Sequence, residues 1–151
     1  MPAAIGVTYS PRGGSSTYVG GGFEAVLLAW SDNSEAFGPS QGRARFDIAV
    51  LGPVGDEPAL GTMVMYRLGA QVSFERNASR RVLIPFFTVD LGGLWTDASR
   101  TRWFADGGVG IYLFHGRNVI VDLEATALLP FKDPGEYGGV RTRLGASFSL
   151  W

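Results

Sequence analysis

At 151 residues, with 13 basic against 14 acidic side chains and a formal net charge of -1, the chain has room for one domain (1–151) and no electrostatic footprint for nucleic acid. Cysteine is absent, which excludes disulfides, thiolate metal sites and thiol nucleophiles. Although 46% of the residues are hydrophobic, no apolar run reaches the roughly 18 residues a membrane-crossing helix needs, and the longest, "FEAVLLAW", contains Glu24.

Met1-Pro2-Ala3-Ala4 carries neither the basic nor the apolar region of a secretory signal, so an exported form is expected to be a mature or excised chain. Helical patterning is absent, and period-two alternation recurs between clusters of Gly, Pro, Asp and Ser. It predicts eight strands, at 3–10, 17–31, 43–51, 61–75, 81–95, 102–114, 118–131 and 139–151.

The second segment carries Glu24 on its polar parity, and the third carries Arg43, Arg45 and Asp47 on one parity. The fourth, "TMVMYRLGAQVSFER", shows the alternation most clearly. Its even positions are Thr62, Val64, Tyr66, Leu68, Ala70, Val72 and Phe74; its odd positions include Arg67, Gly69, Gln71, Ser73 and Glu75. The fifth sets Phe87, Val89, Leu91 and Trp95 against Thr88 and Asp90, and the sixth sets Trp103, Val109 and Ile111 against Asp106, Gly108 and Gly110. In the seventh, Val121, Leu123, Ala125, Leu129 and Phe131 alternate with Asp122, Glu124 and Thr126. The eighth sets Leu144, Phe148 and Leu150 against Arg141, Arg143 and Gly145.

From the second to the eighth segment the apolar parity holds no charge, in a chain that is 18% charged. An ordinary soluble sandwich or barrel would turn that parity inward and give the other to water, where Lys, Glu, Thr and Gln should abound. Here the other parity is rich in glycine and sparse opposite charges, and the chain's lone lysine is Lys132, in a connection. Small residues mixed with Arg, Asp and Glu suit the crowded inside of a narrow barrel. The apolar parity then faces lipid, with Phe74, Trp95, Trp103, Phe131 and Phe148 as interfacial aromatics near strand ends and Leu123 in mid-strand. Tight connections ("RNASR", "HGRN") and longer ones ("PRGGSS", "GPVGDEPALG", "TDASRTR", "KDPGEYGG") fall at opposite ends, as in an up-and-down barrel. The connection 31–42 is too long for the tight end.

The predicted fold is therefore all-β, an eight-stranded antiparallel up-and-down transmembrane β-barrel. In periodicity and strand count the chain resembles the small eight-stranded outer-membrane proteins, the group containing the OmpA transmembrane domain and OmpX. Its end, "RLGASFSLW", is similar to the C-terminal assembly signal of such barrels. Arg143, Gly145, Phe148 and Leu150 match that pattern; Leu150 stands in the usual aromatic slot, with Trp151 one step beyond. The resemblance implies the bacterial outer membrane of a Gram-negative cell envelope, with membrane lipids and the barrel-assembly machinery as partners. It implies no cofactor and no metal.

The polar parity supplies a candidate lumen charge network: Glu24, Arg43, Arg45, Asp47, Arg67, Glu75, Asp90, Asp106, Asp122, Glu124, Arg141 and Arg143. These residues fit a gated ion path, a binding pocket or a salt-bridge network that fills the barrel, and the arginines beside the carboxylates favour the last. Lipid-A-modifying barrels need a histidine, a serine and a carboxylate in reach of one another. The single histidine, His115, falls in the tight turn "HGRN" with no His-x-Ser pattern, so it is expected to be a solvated turn residue. "GGG" and "DGGVG" lack the Lys-Ser/Thr and following helix of a phosphate loop. The expected role is non-enzymatic, in envelope structure, scaffolding or interaction with an envelope partner. The alternatives are a soluble lipocalin-like calyx for an apolar ligand and, behind it, a lipid-A-modifying enzyme.

Overall fold

In a computed structural model of the chain, residues 2–13, 16–32, 40–55, 61–73, 81–96, 101–116 and 118–148 are described. The alternating segments form strands β1 (Pro2–Pro11), β2 (Thr17–Asp32), β3 (Ser40–Val54), β4 (Met63–Ser73), β5 (Ile84–Thr96), β6 (Thr101–His115), β7 (Val119–Pro130) and β8 (Gly139–Phe148). Each strand pairs antiparallel with its neighbour in sequence, and β1 pairs with β8 to close an eight-stranded up-and-down barrel. Closure leaves no sheet edge, so the strand backbones find their hydrogen bonds within the sheet.

Period two sorts the side chains between lumen and exterior. On β7, Leu123 and Leu129 point outward and stay exposed, while Asp122, Glu124, Thr126 and Leu128 are buried inside. Across strands the same face matches: Leu123 lies opposite Leu144 of β8 and Ile111 of β6. β1 differs from the other strands. It turns Ala3, Ile5, Val7 and Tyr9 inward and presents Ala4, Gly6, Thr8 and Ser10 outside.

The lumen has three tiers. At the end away from the N-terminus, Tyr9, Tyr18, Leu51, Met63, Leu94, Phe104 and Leu128 pack into an apolar plug. Over it folds a single turn of helix, α1 (Pro134–Tyr137), which the sequence pattern did not announce because four residues cannot show a helical period. The Tyr9 hydroxyl donates to the Tyr137 carbonyl, and the Arg102 guanidinium lies 3.8 Å from the centre of the Tyr137 ring. The middle tier is charged. At the end where the chain begins, a smaller apolar cluster of Ile84, Phe86, Tyr112 and Ile120 narrows the lumen without filling it.

Two details depart from the expected connections. The expected connection 31–42 is strand at both ends, since the β2–β3 ladder continues through Trp30–Gly42 and Ser31–Gln41 to Asp32–Ser40, and its middle, 33–39, lies outside the described residues. Gly42 permits this because the Trp30 ring lies where any β-carbon at that position would sit, 2.2 Å from the ring. His115 is the last residue of β6 rather than a turn residue; it is half-buried, with its ring 5.0 Å from that of Tyr112.

Candidate functional site

Five arginines and six carboxylates occupy the middle tier, all buried: Arg43, Arg45, Arg67, Arg141 and Arg143 with Glu24, Asp47, Asp90, Asp106, Asp122 and Glu124. Strand register explains why they need one another. Glu24 lies directly opposite Asp47, and Asp90 directly opposite Asp106, so two like-charged pairs face each other across neighbouring strands. Arg67 of β4 answers both. Its Nε bonds Asp47 at 3.1 Å, and its Nη1 reaches Asp90 at 3.0 Å, Asp106 at 3.1 Å and Glu124 at 3.3 Å. One guanidinium thus ties β4 to β3, β5, β6 and β7.

Glu124 of β7 is the matching acidic hub. It meets Arg45 at 2.6 Å, Arg141 at 3.2 Å, Arg67 at 3.3 Å and Arg143 at 3.5 Å. The Arg45 approach is a charge contact without hydrogen-bond geometry. Arg45 also bonds Thr88 Oγ1 at 2.6 Å and Asp90 at 3.1 Å, while Arg143 reaches Glu24 at 2.6 Å and Asp122 at 2.7 Å. Space for these groups comes from glycine on the inward parity. A β-carbon on Gly69 would lie 2.1 Å from Asp90 Oδ1 and 2.3 Å from the Val89 carbonyl oxygen.

Eleven of the twelve charged residues singled out from the sequence therefore meet inside the barrel. Glu75, with Phe74, Leu150 and Trp151, lies outside the described residues. Of the remaining terminal positions, Arg143 and Gly145 face inward and Phe148 outward. Trp95, Trp103, Leu123, Phe131 and Phe148 are all exposed. Sequence reasoning missed Thr88 and Gln71 as members of the network, and it missed the apolar plug. The signal for the plug was present in Met63 and Met65, which stand on the polar parity of their strand.

At the end where the chain begins, a cavity of 410 Å³ is lined by Val26 and Ala29 of β2, Arg43 of β3, Tyr112 and His115 of β6, and Ile120 of β7, among others. Bulges flank it on both sides, between Val26 and Leu28 and between Tyr112 and Phe114. Arg43 bonds Gln71 Oε1 at 2.6 Å and faces the Tyr112 ring at 5.2 Å. Among the described residues no group of three or more His, Asp and Glu side chains could hold a metal ion. Compared with known proteins, the chain matches no family model, no curated protein and no solved structure.

Proposed function

We propose that this chain is an integral outer-membrane β-barrel protein, similar in kind to the OmpA transmembrane domain and OmpX, with a lumen filled by its own side chains. The observation that carries the reading is the outer surface. Among the strand residues whose side chains are described, none that faces outward is charged, and large apolar groups such as Phe23 (70% exposed) and Val89 (67%) stand in the open. Water is a poor medium for such a surface; contiguous apolar area on this scale marks a partner, and here it runs from β2 round to β8. Each strand has 10 or more residues, enough to cross a bilayer when tilted. Exposed Trp95 and Trp103, at facing ends of β5 and β6, suit the level of lipid headgroups.

A charged interior fits the same reading, because ions kept from lipid must pair with one another. The outward direction of Leu123 and Leu144 favours it over a soluble calyx, whose apolar residues would line the lumen. With its middle occupied by paired ions and one end plugged, the barrel acts as a non-enzymatic envelope element, a structural or scaffold protein for an envelope partner. Lipids are its lateral partners, and the barrel-assembly machinery reads its C-terminal strand during insertion. Refolding from urea tests this. The barrel is expected to form in lipid vesicles or detergent and to aggregate in plain buffer; a folded monomer in buffer alone would contradict the proposal.

A further inference from the structure

The cavity at the N-terminal end of the lumen has the parts of a receptor, and they stand whether or not the outer face meets lipid. Its volume, 410 Å³, lies within the range of small-molecule sites. Its walls are mostly apolar, with Val26, Ala29, Ile120 and the ring of Tyr112 beside the polar Gln41 and His115. At its inner side lies Arg43, the most open of the interior arginines, with a side chain 10% exposed where the other four are at 1% or less.

The charge of Arg43 is poorly answered. Among the described residues its one ion pair is with Asp122, at 3.4 Å, and Asp122 is held more closely by Arg143, at 2.7 Å. The excess of carboxylates sits deeper, around Arg67. Beside Arg43, Gln71 is 1% exposed and gives its carbonyl oxygen to the guanidinium, which leaves its Nε2 buried with no hydrogen-bond partner. A half-satisfied cation therefore lines the cavity, and an orphaned amide donor lies behind it on the residue to which it is bonded. Buried polar groups in folded proteins are normally satisfied, so a cation left half-answered at a cavity wall points to an acceptor that comes from outside.

We propose that this cavity binds a small monoanion, a carboxylate carrying an apolar body, with Arg43 as its counter-ion and the ring or chain packed against Ile120, Val26 and Tyr112. A guanidinium fork matches a carboxylate in plane and charge. Asp122, 3.4 Å from Arg43, selects against a dianion, which would meet a second carboxylate at close range. Ala29 lies directly opposite Arg43 across the β2–β3 ladder, so its side chain controls the room available.

The probe is 4-(trifluoromethyl)benzoate, followed by fluorine NMR against the folded barrel in zwitterionic detergent. 4-(Trifluoromethyl)benzyl alcohol serves as the uncharged control, and inorganic phosphate as the anion without an apolar body. Saturable binding of the acid is expected, with only unsaturable partitioning of the alcohol and no competition by phosphate. Arg43→Gln should weaken binding at least about tenfold by removing the charge-assisted contact, and Ala29→Phe should abolish it by filling the cavity. Binding that persists in Arg43→Gln, that the alcohol matches, or that phosphate displaces would overturn the assignment. If Arg43→Gln does not fold, undiminished binding in Ala29→Phe overturns it on its own.

Discussion

Arg67 shows how much one residue can hold in a narrow lumen. Its guanidinium is buried against carboxylates from four other strands, two of which would otherwise face each other directly as Asp90 and Asp106. Burying so many ions is costly in itself, and the arrangement around Arg67 is stable only because its charges answer one another. Breaking it should therefore be far more damaging than its net worth implies. Arg67→Met is expected to lower stability by about 3–5 kcal/mol, the cost of stranding a buried charge, measured by urea unfolding in lipid vesicles. Adding Asp47→Asn should recover part of that loss, because it removes one of the stranded carboxylates; the double mutant would then be less destabilised than the sum of the singles. A loss below about 1 kcal/mol for Arg67→Met would be the behaviour of a solvated surface pair, and would count against a filled interior.

At the level of elements, the strands were readable because a side-chain period of two survives any uncertainty about their ends. The predicted segment 118–131 became β7 (Val119–Pro130), and 139–151 became β8 (Gly139–Phe148) as far as it is described. The inside–outside assignment followed from the same period, since every charged residue assigned to the polar parity and described is buried. Pairing was not readable. That Arg43 bonds Gln71, or that Arg67 reaches across to Glu124, depends on strand stagger and side-chain reach, which parity does not encode. The ends of the 31–42 connection misled because Ser, Asp and Gly are turn formers, while Trp30 lying over Gly42 carries the ladder on to Asp32 and Ser40. His115 misled for a similar reason: the bulge between Tyr112 and Phe114 lengthens β6 into the expected turn. Helix α1 is held to the barrel by few contacts, so these contacts are testable. Tyr9→Phe removes the hydroxyl donor to the Tyr137 carbonyl and should cost about 1 kcal/mol locally. Amide exchange at Glu136, Tyr137 and Gly138 is then expected to speed up roughly fivefold while the strands are unaffected, given that a 1.4 kcal/mol change corresponds to about tenfold. Unchanged exchange there would mean the hydroxyl does not hold the helix down.

For the whole molecule, ions occupy the middle of the lumen and large apolar side chains the outside of the barrel. The plug of Tyr9, Tyr18, Met63 and Phe104 together with the Arg67 tier leaves no continuous aqueous path through the barrel among the described residues. Planar-bilayer recordings should accordingly show no steady, reproducible open state, whereas sustained porin-like conductance would reject the filled lumen. The central claim is that lipid surrounds the outer face, and the absence of cysteine makes it directly measurable, since one introduced thiol is labelled uniquely. Leu123→Cys and Ala125→Cys place labels two residues apart on the outward face of β7. In lipid vesicles, spin labels at both positions should be readily relaxed by oxygen dissolved in the bilayer and shielded from a water-soluble relaxant. Labels at 123 and 125 that respond to the water-soluble relaxant, with no gain in oxygen accessibility on adding lipid, would contradict it.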